Sequence, residues 1–106
     1  MYKLTFSSKI NDDIVSVIGY IKNTIQAPMA AENHASELKK AYEKLRRNPF
    51  TRPLVHNKYL ASKGIRFMNV KNYMLLYYVD EETKEVFLYR FMYSRRDWIN
   101  ILTNDL

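Results

Sequence analysis

The sequence predicts an α+β fold: an antiparallel sheet packed against an N-terminal helical hairpin, with a short helix at the C-terminal end. Three observations support this prediction: one alternating segment at the start, two helical periodicities after it, and three alternating segments in the second half. Such elements bury their apolar sides when helices cover a sheet. The 106 residues, 47% of them hydrophobic, predict a single domain over 1–106.

The first half of the chain predicts a strand and two helices. "YKLTF", residues 2–6, alternates and is followed by two serines. Apolar residues then recur at helical spacing from Ile10 to Ile25, with acids in the first turn, where they suit the helix dipole. Pro28 suits a first helical position, and a second periodicity runs to about Arg47. The short break between the two periodicities predicts a hairpin.

The second half predicts a loop, a meander and a short helix. "NPFTRP" ends the second helix because proline cannot continue it, and a basic loop over 51–64 follows. "IRFMNV", "YMLLYYV" and "VFLYRFMY" predict three strands, and their short connections make them antiparallel. "RRDWINIL" predicts the final helix. The N-terminal strand completes the sheet, whose second face is expected to stay partly open.

The last strand divides into two sets of side chains by alternation. The aromatic set is Phe87, Tyr89, Phe91 and Tyr93, and the opposite set is Val86, Leu88, Arg90 and Met92. The aromatic set is expected under the helices, which places Arg90 on the open face. Because a buried, unpaired arginine costs several kcal/mol, Arg90 is expected to pair with Asp97 or Asp80, or to meet an external ligand.

Charge and composition narrow the classes of partner and chemistry. Residues 39–71 contain ten Lys or Arg and one acid, a net charge of +9 in a chain whose total is +6. Such a region attracts RNA, DNA or an acidic protein. The absence of cysteine excludes disulfides, thiolate metal sites and a cysteine nucleophile, and neither a metal nor a cofactor is expected. With no signal peptide and no apolar run of roughly 18 residues, we expect a cytoplasmic protein without a membrane partner.

A basic, aromatic patch is predicted at one end of the sheet. Arg66 starts the first meander strand, and Arg95, Arg96 and Tyr93 follow the last strand. Arginine clamps phosphate through paired donors, and tyrosine can stack on a base or donate a proton. Arg95 and Arg96 can also simply cap the last helix or lie in solvent. His56, in the basic loop, could act as an acid or base or be merely exposed.

Three segments resemble the RelE/ParE superfamily of bacterial toxins from type II toxin-antitoxin modules. They are "LRRNPFTRPLV", "GIRFMNVKNYMLLYYVDEE" and "VFLYRFMYSRRDWINIL". The resemblance covers nearly the full chain. It implies an α+β fold whose sheet cradles a functional surface, inhibition of growth, and a cognate antitoxin that wraps the toxin.

The resemblance leaves the toxin's target open. RelE-like members cleave mRNA in the ribosome, and ParE-like members inhibit DNA gyrase. A metal-independent endoribonuclease needs a base, an acid and cations for the pentavalent phosphate. Under that reading Arg66, Arg90 and Tyr93 are the expected catalytic residues. The residues expected to contact phosphate, RNA or another target are Arg95, Arg96, Lys71 and His56.

Several positions depart from the RelE-like pattern. Met74 stands where many RelE-like nucleases carry arginine, and Ile65 and Phe67 stand where they carry lysine. Met92 replaces a histidine of some relatives, and "YSRRDW" is similar to the ParE-like version, in which histidine often stands at the position of Tyr93. mRNA cleavage is placed first, because the basic middle segment suits an RNA-rich target. Gyrase inhibition and an inactive toxin that only binds its antitoxin are the alternatives.

Overall fold

The computed structural model describes residues 1–105 and confirms the predicted α+β fold. Its elements, in chain order, are β1 (Lys3–Phe6), α1 (Ser8–Gly19), a π-helical turn (Tyr20–Thr24), α2 (Pro28–Arg47), a 3-10 turn (Pro49–Thr51), α3 (Lys58–Ser62), β2 (Arg66–Val70), β3 (Tyr73–Asp80), β4 (Glu85–Tyr93) and α4 (Trp98–Asp105). The hairpin, the meander and the final helix lie where they were predicted, although α4 begins at Trp98 and not at Arg95.

The four strands form one sheet in the order β1-β4-β3-β2. The meander β2-β3-β4 is antiparallel, as predicted. β1 pairs with β4 in parallel, with Leu4 opposite Val86. Parallel pairing requires a long crossover connection, which the helical hairpin and the meander provide here.

Local capping explains where the helices begin. The Ser7 hydroxyl accepts a hydrogen bond from the Ile10 backbone N–H at 3.0 Å and starts α1. Pro28 occupies the first turn of α2, as predicted. The predicted loop over 51–64 is wrong in part, because it contains α3, where the Asn57 side chain accepts from the Leu60 N–H at 3.0 Å. A helix of five residues is too short to produce a readable periodicity.

Both faces of the sheet are covered, so the expectation of a partly open second face is wrong. On one face, α1 and α2 pack on a core that includes Ile10, Leu45, Tyr77 and Leu88. On the other face, α3 and α4 close a second cluster: Val55, Leu60, Ile65, Met74, Leu76, Met92 and Leu102.

A β-bulge in β4 changes which side chains face the helical hairpin. Leu76 pairs with Arg90 but Tyr77 pairs with Leu88, so Tyr89 is an extra residue on β4. Val86 and Leu88 pack on the hairpin side before the bulge, and Phe91 does so after it. The expected aromatic set is correct for Phe91 and wrong for the residues before the bulge. Phe87 instead stacks on Tyr78, with ring centroids 4.8 Å apart.

Within residues 1–105, each helix is too short or too polar to cross a bilayer.

Candidate functional site

A large cavity opens where the tip of the helical hairpin meets the end of the sheet, and it is named here the tyrosine cavity. Its volume is about 720 Å³. The lining residues that carry most of its chemistry are Tyr20, Ile25, His34, Tyr73 and Tyr93. A cavity of this size at the junction of two elements is the form that ligand and partner sites usually take.

A π-helical turn shapes the hairpin side of this cavity. The Ile25 N–H donates to the Tyr20 carbonyl at 3.0 Å, which closes a wider turn than an α-helix has. Gln26 then adopts a φ of 58°, a left-handed conformation that reverses the chain before α2. Single π-helical turns are frequent at functional sites. Here the turn leaves Tyr20 and Ile25 more than half exposed at the cavity's edge.

Stacked rings form the sheet side of the tyrosine cavity. Tyr73 stacks on Phe91 at 5.3 Å and meets Tyr93 and His34 edge-on, each at 5.8 Å. Burial, with smaller contributions from Tyr20 and Tyr93, raises the pKa of Tyr73, so its hydroxyl stays protonated at neutral pH. His34 Nδ1 lies 2.7 Å from the Ala30 carbonyl oxygen. A carbonyl only accepts, so Nδ1 carries the proton and, in the neutral ring, Nε2 is an acceptor.

Tyr93, one of the expected catalytic residues, separates this cavity from a smaller, charged one. The second cavity has a volume of about 320 Å³ and is lined in part by Asp12, Asp13 and Arg96, with Tyr73 and Tyr93 shared between the two. Tyr93 is 42% exposed. Arg96 is exposed, and its N–H donates to the Tyr93 carbonyl at 3.0 Å. Arg90 lines the same cavity, so Arg90, Tyr93 and Arg96 are the expected site residues that the structure brings together.

Arg90 lies on the face covered by α4 and is tied to two carboxylates. Nε and Nη2 donate to the two oxygens of Asp13 at 2.7 and 2.9 Å, and Nη1 donates to Asp105 at 2.8 Å. Asp105 also accepts from Lys9 at 2.7 Å, and Asp13 accepts from the Phe91 N–H at 3.0 Å. The expected partners Asp97 and Asp80 are wrong; the ion pair joins β4 to α1 and α4 instead. Arg90 is 9% exposed.

The electrostatics of this ion-pair network favour the charged forms. The hydrogen bond to Asp13 raises the pKa of Arg90; burial opposes it, and Asp105 adds to it. Burial acts to raise the pKa of Asp105, but hydrogen bonds from Lys9 and Arg90 outweigh it and leave that pKa below its usual value. These contacts occupy three of the five N–H donors of the Arg90 guanidinium.

Arg66 lies far from Tyr93. The Arg66 Nη1 donates to the Arg52 carbonyl oxygen at 2.6 Å, and its guanidinium lies 5.0 Å from the centroid of the Phe50 ring. In the sheet, Arg66 is opposite Tyr77, whereas Tyr93 is opposite Tyr73. Those positions on β3 are about 13 Å apart at a rise of roughly 3.3 Å per residue, and β2 and β4 flank β3 on opposite sides. The structure therefore places Arg66 apart from the cavity that Arg90 and Tyr93 line.

The remaining expected contact residues occupy three separate exposed places. Arg95 lies in the turn between β4 and α4, and Lys71 lies in the turn between β2 and β3 with a φ of 55°. His56 is exposed, with its ring 6.5 Å from that of Phe67. Among residues 1–105, no three His, Asp or Glu side chains group as metal ligands.

Sequence reasoning missed the partners that define these sites. Asp13 and Asp105 lie 77 and 15 positions from Arg90, and only the fold joins them. His34 and Tyr20 belong to no recognisable sequence motif, although both lie near the predicted break in the hairpin. Lys40 and Lys44, one helical turn apart in the basic middle segment, were a readable signal of a cationic side of α2.

Comparison with known proteins relates the chain to bacterial toxins. Residues 4–98 match the family described as ParE toxin of type II toxin-antitoxin system, parDE. No curated protein matches the sequence.

Solved structures of low sequence identity share the fold. The RelBE2 toxin-antitoxin complex from Mycobacterium tuberculosis aligns with a TM-score of 0.62 at 19% identity, over 87% of this chain and 96% of that one. The chromosomal ParDE system from P. aeruginosa aligns with a TM-score of 0.68 at 14% identity, over 88% and 96%. The isolated E. coli RelE toxin aligns with a TM-score of 0.56 at 16% identity, over the whole of both chains. At these identities the likeness concerns the fold alone.

Proposed function

Because this chain belongs to the ParE toxin family of type II toxin-antitoxin systems, we propose that it inhibits growth by binding DNA gyrase and not by cleaving mRNA. The observation that carries this proposal is the separation of Arg66 from the cavity that Arg90 and Tyr93 line. Arg66 on β2 and Tyr93 on β4 pair with positions of β3 that are four residues apart. Arg90 is held by Asp13 and Asp105. Cleavage through a 2′-hydroxyl needs its acid, base and cations around one phosphate.

The tyrosine cavity suits a protein partner. Tyrosine and arginine dominate the residues that carry binding energy in protein interfaces, and Tyr20, Tyr93 and Arg96 are exposed around the opening. Apolar residues such as Ile25 continue the surface. A side chain of the target can enter the cavity while the aromatic edge excludes water. The cytoplasm is the compartment in which this target is met.

A cognate antitoxin is the second proposed partner. The structures similar in fold include the RelBE2 complex and the ParDE system, which are toxin-antitoxin assemblies. We expect an amphipathic antitoxin segment to cover the tyrosine cavity, because a helix presents apolar anchors at the spacing that such a cavity accepts. Covering the cavity would leave the toxin unable to reach gyrase.

Two reactions run in parallel test this function. Purified toxin is added to gyrase with relaxed plasmid, and separately to cell-free translation primed with ready-made mRNA whose ends are then mapped. The expected result is loss of supercoiling with intact mRNA, and recovery of supercoiling when the antitoxin is added. Ribosome-dependent cuts in the mRNA with undiminished supercoiling would overturn the proposal and favour the nuclease.

A further inference from the structure

Four cations from three parts of the chain line a narrow groove beside β2, named here the basic groove. They are Lys40 and Lys44 on α2, Arg52 after the 3-10 turn, and Lys71 in the β2-β3 turn. Lys40 and Lys44 are one helical turn apart and share a side of α2. The groove has a volume of about 70 Å³, which is enough for a phosphate group, so the sugars and bases of a bound strand would lie outside it.

The charge in this groove is hardly neutralised. Glu37 is the one acid that lines it, and it pairs with Lys40 at 3.2 Å in an exposed contact. Within the part of the chain that the structure describes, no carboxylate forms an ion pair with Lys44, Arg52 or Lys71. The Arg52 Nε is buried and has no hydrogen-bond partner among the same residues. The groove therefore keeps the positive potential that a polyanion can use.

An aromatic ring lies at the Arg52 end of the groove. Phe50, two residues before Arg52, is 44% exposed. The Arg66 guanidinium lies over its ring and donates to the Arg52 carbonyl, which connects the ring to the groove. Proteins that bind single-stranded nucleic acid combine a cationic groove with aromatic rings on which bases stack.

We propose that the basic groove binds single-stranded nucleic acid. The phosphates follow Lys40, Lys44, Lys71 and Arg52, and a base stacks on Phe50. An acidic peptide could satisfy the cations, but its carboxylates give the exposed ring nothing to stack on. This binding is an activity in addition to gyrase inhibition and does not depend on it. It requires neither the tyrosine cavity nor a 2′-hydroxyl.

The test is the salt dependence of binding to a labelled single-stranded DNA oligonucleotide, measured by fluorescence anisotropy. DNA lacks the 2′-hydroxyl, so a toxin that cleaves through that group cannot destroy the probe. Each phosphate neutralised on a single strand contributes about 0.7 to the slope of log K against log salt, so four contacts predict a slope of about −2.8. The double variant Lys40→Gln, Lys44→Gln should lower its magnitude by about 1.4.

A matched variant separates the groove from general attraction. Lys22→Gln with Lys39→Gln removes the same charge from positions that do not line the groove, and should leave the slope nearly unchanged. Equal losses in the two double variants, or no binding by the native chain, would overturn the proposal. Thermal melting checks that all variants fold.

The aromatic end distinguishes nucleic acid from an acidic protein. Phe50→Ala should weaken the oligonucleotide about tenfold, within the range measured for base stacking, and leave binding of polyglutamate unchanged. If polyglutamate of equal charge binds as tightly as the oligonucleotide and Phe50→Ala affects neither, the groove takes an acidic protein segment and the proposal fails. Gyrase inhibition is measured on the same variants, so loss of one activity is visible without the other.

Discussion

Arg90 and the basic groove carry the same kind of charge in opposite states. Arg90 is almost fully buried, and three of its donors meet the carboxylates of Asp13 and Asp105. In the basic groove, four cations share one lining acid, and all of them remain at the surface or close to it. Paired, buried cations hold elements together, whereas unpaired, accessible ones remain free for a partner. Predicting an arginine's role thus requires its partners as well as its position.

The two kinds of cation should differ most in how much stability the protein loses when each is removed. Breaking a buried ion pair leaves uncompensated charges in the interior, whereas an exposed pair contributes little. Stability should therefore fall steeply at Arg90 and hardly at all in the groove.

Arg90→Ala is expected to have the largest effect, a loss of about 3 to 5 kcal/mol in the free energy of unfolding, because Asp13 and Asp105 lose their partner. Urea unfolding measures it. Arg95→Ala, at an exposed position in the following turn, is the control and should change stability by less than about 0.5 kcal/mol. Similar stabilities for the two variants would remove the distinction between paired and free arginines.

Tyr77→Phe removes a buried hydrogen bond between β3 and the 3-10 turn, and we expect it to lower the free energy of unfolding by about 2 kcal/mol. The buried Tyr77 hydroxyl donates to the Pro49 carbonyl at 2.7 Å, and its removal leaves that carbonyl unsatisfied. Burial raises the pKa of Tyr77 to about 12, against smaller opposing effects of Arg66 and Arg52, so the donor is intact at neutral pH. Thermal melting compares this variant with Tyr59→Phe, at an exposed position, which should melt like the native chain.

Acidification should loosen α4 through Asp105. Its folded-state pKa is lowered, so its stabilising contribution is present above the unfolded value, near 3.8, and is lost as pH falls through the folded value. Fluorescence of Trp98, the one tryptophan and the first residue of α4, reports the change. Asp105→Asn should cost about 1 kcal/mol at neutral pH and reduce the acid transition. If the acid transition of Asp105→Asn is the same as that of the native chain, other carboxylates cause the transition.

Lys40→Gln and Lys44→Gln should have the smallest effect on stability, less than about 0.5 kcal/mol each, because both are exposed and one exposed pair is lost at most. Urea unfolding of the two single variants tests this. A loss above about 1 kcal/mol would mean that the groove cations hold the fold, and would leave them unsuited to a partner.

The fold was largely predictable and the sites were not. Hydrophobic periodicity placed α1, α2 and the meander, and the order of the quoted segments identified the RelE/ParE superfamily, which the family match confirms. The bulge at Tyr89 made the prediction from simple alternation wrong for part of β4, because one extra residue reverses the side of the sheet on which every later side chain lies. The partners of Arg90 come from distant parts of the chain, so local sequence carries no signal for them.

The most direct test of action by contact is growth inhibition by Tyr93→Phe and Tyr93→Ala, each expressed without antitoxin and each checked for folding. Tyr93→Phe keeps the ring that contacts a partner and removes only the hydroxyl group, whereas Tyr93→Ala removes both. We predict that Tyr93→Phe inhibits growth within about threefold of the native chain, and that Tyr93→Ala loses at least about tenfold, as for an aromatic residue at the centre of an interface. Equal loss in both variants would show that the hydroxyl is required, which would contradict action by contact and favour a catalytic proton transfer.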